Sequence, residues 1–197
     1  MTTAHTLPAP RPRNGLTMLA LVAGLLALPF AVAAGLYLFG WQPARTANHG
    51  QLVDPPRPLP ASGLLTPEGQ ALATADLGGK WLLLLNGSGP CDAGCGDRVD
   101  EMRRIQVALN KDMGRLRRVV LSDHPNDAAL ATARSLQPDL VIATVPDGWL
   151  TGATGTAGYR LHIVDPQGRR IMDYPPEVAA RDVRADLERL LKFAWTG

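Results

Sequence analysis

A short apolar run followed directly by the only two cysteines of the chain constrains this sequence most. Residues 81–85 are five consecutive apolar side chains. A run of this length is too short for an ordinary helix and predicts a strand buried on both faces of a sheet. Residues 86–90 (Asn-Gly-Ser-Gly-Pro) then predict a tight loop. The sequence therefore places a thiol pair, Cys91 and Cys95, between a central strand and the start of a helix.

Size and composition exclude several classes of protein. The chain has 197 residues and a formal net charge of +2, which is enough for one domain and an appendage. This mild charge gives no argument for nucleic-acid binding. Two cysteines are too few for a multi-disulfide scaffold or for a zinc finger built from cysteines alone.

The N-terminal region predicts a membrane anchor. Residues 15–41 carry no charged side chain, and this run of 27 exceeds the roughly 20 residues that cross the hydrocarbon core. Arg11 and Arg13 precede it. The positive-inside rule therefore predicts a cytoplasmic tail at residues 1–14 and an exported C-terminal domain.

A cleavable signal peptide is the alternative to a retained anchor. Residues 31–33 (Ala-Val-Ala) resemble a small-residue cleavage site. The apolar run continues beyond that site, which favours a single-pass anchor in the inner (cytoplasmic) membrane with the domain on the extracytoplasmic, periplasmic side. Either alternative puts the cysteines in a space where disulfides persist.

Residues 42–62 predict a linker between the membrane and a domain at residues 63–197. The segment contains five prolines, which favour an extended, semi-rigid chain. His49 lies in this segment and is expected to be solvated rather than a ligand.

The rest of the chain alternates between strand and helix patterns. Apolar residues at spacings of three and four predict an amphipathic helix after Cys95 that ends near Gly114. The segment 137–158 leaves two alternatives, a strand at 140–142 or a long flexible loop, which its glycines favour. The other predicted elements are a strand at 116–122, a helix to about 136, a hairpin at 159–174 that turns at 165–168, and a helix at 177–195. This order predicts an α/β thioredoxin-like fold, a central mixed sheet flanked by helices, preceded by one transmembrane helix.

Two thiols at positions i and i+4 of a helix lie on one face, about one turn apart. Their separation is near the Cα–Cα range of about 4.4–6.8 Å that a disulfide accepts, so a distorted first turn is expected. The helix N-terminus favours thiolates, whereas Asp92 and Asp97 oppose them by like charge.

Two motifs and the cysteine spacing carry a family resemblance. The segments 77–81 (Leu-Gly-Gly-Lys-Trp) and 163–168 (Ile-Val-Asp-Pro-Gln-Gly) resemble both the SCO/SenC and the TlpA/ResA groups of thioredoxin-like proteins. TlpA-like reductases carry CxxC, whereas SCO-like proteins carry the CxxxC seen at Cys91 and Cys95. The chain therefore resembles the SCO/SenC family of membrane-anchored cytochrome c oxidase assembly proteins.

The resemblance implies copper as a cofactor, with Cys91 and Cys95 as ligands. The family supplies a third ligand, a histidine, eight or nine residues before the hairpin proline. In this chain that position is Ala157 or Gly158. His162 is the nearest histidine and the predicted third ligand, with His124 as the other candidate.

Three functions remain open at this point. The first is handling of Cu(I) for a respiratory oxidase. The second is reduction of cysteines in a respiratory oxidase subunit or another exported client, with Cys91 attacking and Cys95 resolving; a TlpA/ResA-like thiol–disulfide oxidoreductase belongs to this class. The third is a non-catalytic accessory domain with a structural disulfide.

Overall fold

The computed structural model describes residues 15–41, 48–145 and 158–193. The chain divides into two compact units, residues 1–46 and 47–197. Each unit is described by itself.

The first unit contains helix α1, Gly15–Leu38. Its 24 residues include no charged side chain, and none of its side chains is buried. Within the described part of the chain, α1 is the one helix long and apolar enough to cross a membrane. The side of the membrane on which each end lies, and the retention of the anchor, stay predictions.

The described residues of the second unit contain eight strands. They are β1 Gln51–Pro58, β2 Leu64–Leu65, β3 Ala71–Leu72, β4 Trp81–Ser88, β5 Leu116–Ser122, β6 Val141–Ala143, β7 Gly158–Val164 and β8 Arg169–Asp173. Six of them form a mixed sheet in the order β1-β8-β7-β4-β5-β6. The central strand β4 pairs in parallel with β5 and antiparallel with β7, and a separate two-stranded sheet joins β2 and β3.

Helices cover the sheet and confirm the predicted fold class. They are α2 Thr74–Leu77, α3 Ala93–Ala108, α4 Ala128–Leu136 and α5 Ala180–Phe193. One apolar cluster joins α3, α4 and α5 to Leu83 and Leu85 of β4. A second cluster, on the opposite face, joins the segment around Leu59 and Leu64 to Leu82 and Leu84. Burial on both faces is the reason that β4 has no polar alternation.

Strand β1 corrects the predicted linker. It lies inside residues 42–62, yet it pairs antiparallel with β8, from Gln51 opposite Asp173 to Pro58 opposite Arg169. Proline cannot donate a hydrogen bond to a neighbouring strand, but an edge strand tolerates it because one side has no partner. The folded unit therefore starts well before residue 63.

Helix boundaries differ from the prediction at two places. Helix α3 ends at Ala108 rather than near Gly114, and a 3₁₀ turn, Asn110–Arg115, follows it. Met113, predicted on the apolar face of the helix, is half exposed in that turn. The last helix, α5, begins at residue 180 rather than 177. Most of the predicted loop, residues 146–157, lies outside the described residues.

A buried carboxylate fixes the start of the second unit. Asp186 of α5 accepts hydrogen bonds from the backbone N–H groups of His49 and Gly50 and from the hydroxyl of Tyr174. A Cβ atom at Gly50 would lie 2.5 Å from Cγ of Met172, so only glycine fits this close approach. The residues that precede β1 are therefore held against β8 and α5.

Candidate redox site

Cys91 and Cys95 form a disulfide with a Cα–Cα distance of 5.2 Å. Both cysteines are buried, Cys91 with 9% and Cys95 with 3% of its surface exposed. The sequence predicted both cysteines in one helix with a distorted first turn. In the structure Cys91 precedes α3 and only Cys95 lies within it. Asp92 is the N-cap of α3, and its Oδ1 accepts the N–H of Cys95 at 2.9 Å. The helix begins between the two cysteines, so its first turn stays regular.

The loop that carries Cys91 is held by two carboxylates from the next strand connection. Gly89 donates its N–H to Oδ1 of Asp123 at 2.8 Å, and Cys91 donates its N–H to Oδ2 of Asp127 at 2.7 Å. Both aspartates follow β5. Because β4 and β5 are parallel neighbours, their C-terminal ends meet at the same edge of the sheet.

Tyr159 holds the same loop from the other side. Its hydroxyl donates to the carbonyl oxygen of Gly89 at 3.0 Å and lies 2.6 Å from Oγ of Ser122. Ser122 therefore donates to the tyrosine oxygen and accepts the N–H of His124. A Cβ at Gly87 would lie 2.5 Å from the tyrosine ring. Burial raises the pKa of Tyr159, so the phenol stays a neutral donor at neutral pH.

A cavity of about 560 Å³ opens beside Cys95. Its lining includes Asp92, Arg98, Tyr159 and Pro176. Arg98 fixes one wall, because its guanidinium donates to the carbonyl oxygens of Pro176 and Val178 and pairs with Glu101. The disulfide is therefore next to a preformed depression large enough to receive part of another chain.

His162 is not brought to the cysteines. It lies directly opposite Leu84 in the strand pairing, on the sheet face of the second apolar cluster, whereas Cys91 and Cys95 pack into the cluster on the other face. Its Nδ1 is 2.7 Å from Oδ1 of Asp173, and its Nε2 is buried without a hydrogen-bond partner. Burial lowers the pKa of His162. The structure thus corrects the prediction of His162 as third copper ligand.

His124 lies nearer the disulfide loop than His162 does, but its imidazole is hydrogen-bonded to Asp123. Its Nδ1 is 2.8 Å from Oδ1 of Asp123, and this hydrogen bond raises the pKa of His124. Within residues 15–41, 48–145 and 158–193, no three or more His, Cys, Asp or Glu side chains are grouped to hold a metal. The ligand set implied by the resemblance is reduced to the two cysteine sulfurs.

The contacts of Asp123, Asp127 and Tyr159 with the disulfide loop were not predicted from the sequence. A signal for the two aspartates was present, because polar residues that follow a strand parallel to β4 are expected at the edge where the cysteines lie. The contact of Tyr159 depends on the register of β7 against β4, which no local pattern specifies.

Comparison with protein families and solved structures agrees with this architecture. The model of the family described as "transmembrane-like, thioredoxin-like, C-terminal domain" matches residues 81–194. No curated protein sequence matches the chain.

Three solved structures illustrate the similarity. Apo Sco1 from Thermus thermophilus is 20% identical and has a TM-score of 0.55, covering 75% of this chain and 99% of that one. Yeast Sco1 with copper bound is 17% identical and has a TM-score of 0.54, with 71% and 95% covered. A thiol:disulfide interchange protein from Bacteroides sp. is 14% identical and has a TM-score of 0.50, with 71% and 91% covered. At these identities the likeness confirms the predicted thioredoxin-like fold.

Proposed function

Because this chain belongs to the family of transmembrane-like, thioredoxin-like C-terminal domains, we propose that Cys91 and Cys95 perform thiol–disulfide exchange with an exported client protein. The reduced pair would reduce a disulfide of that client. Helix α1 would keep the domain at the inner membrane, on the extracytoplasmic side.

The observation that carries this proposal is the position of the disulfide beside the cavity lined by Cys95 and Tyr159. A disulfide that serves stability gains most from closing a long loop. In the chain-entropy model, a loop as short as this one gives only about 2 kcal/mol, against about 4.7 kcal/mol for a 100-residue loop. A short bridge next to an open depression suits exchange better than stabilisation.

The exchange proceeds in two balanced steps. The thiolate of Cys91, the more exposed cysteine, attacks one sulfur of the client disulfide and releases the other client sulfur, which takes up a proton. The thiolate of Cys95 then attacks the Cys91 sulfur of the mixed disulfide and releases the second client sulfur. Two electrons pass to the client, the protons of the two thiols end on the client, and the Cys91–Cys95 bond forms.

The client class follows from the cysteine chemistry. The partner needs a pair of cysteines close enough to form a disulfide, in a protein on the same side of the membrane as this domain. The similarity to Sco1 structures supports a respiratory oxidase subunit with a copper-binding cysteine pair as the first client to test.

Transfer of Cu(I) as cargo is the second candidate. Two soft sulfurs on one loop suit Cu(I), and yeast Sco1 has been solved with copper bound. In this chain Cys91 and Cys95 would be the ligands, since His162 lies on the opposite face of the sheet. The donor set fits Cu(I) held by two thiolates, and among the residues that the structure describes no histidine is grouped with them to complete a Cu(II) site.

The test compares both activities in the same reduced, full-length chain in detergent. We expect it to reduce a peptide that contains a client-type disulfide, with one peptide disulfide lost for each Cys91–Cys95 disulfide formed, as measured by mass spectrometry after alkylation. Stoichiometric Cu(I) binding together with no peptide reduction would contradict the proposal and support the copper candidate.

A further inference from the structure

Asp127 connects the β5–α4 segment directly to Cys91. Its Oδ2 accepts the backbone N–H of Cys91 at 2.7 Å, across 36 positions of the chain. Asp127 is also the N-cap residue of α4, but its side chain makes no capping hydrogen bond to that helix. Aspartate at an N-cap ordinarily satisfies the first free N–H groups of its own helix. In this chain the carboxylate of Asp127 instead accepts a hydrogen bond from the loop that carries Cys91.

Two further contacts hold the same loop. Asp123 accepts the N–H of Gly89, and Tyr159 donates to the carbonyl oxygen of Gly89. Asp127 accepts the N–H of Cys91 itself. Hydrogen bonds therefore hold the backbone that leads into Cys91 on both sides. Rotation about its side-chain torsion is then the main conformational freedom of Cys91.

Resting on the proposed exchange activity, we propose that Asp127 is a positioning residue that holds Cys91 where its sulfur closes onto Cys95. Holding two reacting groups in the geometry of their product raises their effective concentration. A reduced pair held in this way closes more readily. It is therefore a stronger electron donor to the client than the same two thiols on a loose loop.

Closure is the electron-donating step. One sulfur–sulfur bond forms between Cys91 and Cys95, the disulfide of the client breaks, and two electrons and two protons pass to the client sulfurs. Asp127 takes part in no bond change. It acts only through the backbone N–H of Cys91.

Two substitutions separate the contact from the fold. In Asp127→Ser the hydroxyl remains a good N-cap group for α4 but is too short to replace the carboxylate at the N–H of Cys91. Asp127→Asn keeps the length of the side chain and an acceptor oxygen. Each full-length variant is equilibrated in detergent at pH 7 with reduced and oxidised dithiothreitol, and the oxidised fraction is measured by alkylation and mass spectrometry.

For Asp127→Ser we expect the equilibrium constant for closing the disulfide to fall about tenfold, which corresponds to a reduction potential about 30 mV less negative. For Asp127→Asn we expect a change of less than about threefold, because a neutral acceptor preserves the hydrogen bond. A lower unfolding midpoint for Asp127→Ser with an unchanged equilibrium constant would show a purely structural role and overturn the proposal. Equal shifts in both variants would also overturn it, because they would assign the effect to charge rather than to contact.

Amide hydrogen exchange in the unmodified chain tests the same contact without a substitution. We expect the N–H of Cys91 to be protected in both the disulfide and the dithiol forms. Loss of protection on reduction would mean that Asp127 does not hold the reduced loop, and would overturn the proposal. Both measurements use dithiothreitol alone, so their outcome is independent of whether the client peptide is reduced.

Discussion

The Cys91→Ser variant is expected to lose thiol–disulfide exchange completely. The chain has only two cysteines, and the one that remains in this variant, Cys95, has the resolving role and is not expected to attack the client. Cys91 is also the more exposed of the two cysteines. The measurement is reduction of a disulfide-containing peptide by the pre-reduced chain, which should fall to the rate without protein.

The Cys95→Ser variant is the matched control, because it removes one sulfur at the other end of the same bridge. We expect it to attack the client and then stop as a mixed disulfide through Cys91, since no second thiol resolves it. Non-reducing electrophoresis and peptide mapping would identify the linked sulfur. A mixed disulfide that forms with Cys91→Ser instead, through Cys95, would reverse the assigned roles.

The Asp186→Ala variant is expected to lose a large share of its folding stability. The buried carboxylate of Asp186 accepts two backbone N–H groups, from His49 and Gly50, and the hydroxyl of Tyr174. Without it, two buried donors, the N–H of Gly50 and the hydroxyl of Tyr174, and the partly buried N–H of His49 lose this carboxylate acceptor, and each buried donor left without one costs about 1–3 kcal/mol. We expect the free energy of unfolding to fall by about 4 kcal/mol, against a typical total of about 5–15 kcal/mol.

Asp182→Ala provides the control on the same helix. Asp182 is partly exposed, and its contact with His49 Nδ1 is 3.7 Å long, so we expect a loss below about 1 kcal/mol. Urea unfolding followed by the fluorescence of the tryptophans, among them the buried Trp81, measures both variants. Equal losses would mean that the buried hydrogen bonds of Asp186 do not hold the start of the folded unit.

Strands and turns that are specified by the residues of their own segment were predicted closely from the sequence. Strand β5 has the predicted bounds, Leu116–Ser122, because an apolar strand between turn residues is a local signal. The hairpin of β7 and β8 follows from alternation and from the turn at residues 165–168. The position of the cysteines after the central strand was predicted for the same reason.

Features that depend on pairing between distant segments were not predicted. The prolines of residues 51–58 favour a linker by composition, and only pairing with β8 makes them an edge strand. For His162 the alternation along β7 already predicts the face opposite Leu161 and Ile163, but only the packing of both cysteines on the Leu161 and Ile163 face shows that this is the face away from them. The contact of Asp127 with Cys91 joins two connections that meet only after β4 and β5 have paired.

The reduction potential of the Cys91–Cys95 pair is the most direct test of the central claim that this disulfide exchanges. Full-length chain in detergent is equilibrated with dithiothreitol or glutathione buffers of known potential, and the oxidised fraction is measured after alkylation. We predict a value between about −200 and −300 mV, where thioredoxin and the glutaredoxins lie. A potential well below about −300 mV would mark a structural disulfide that stays closed and would contradict this account.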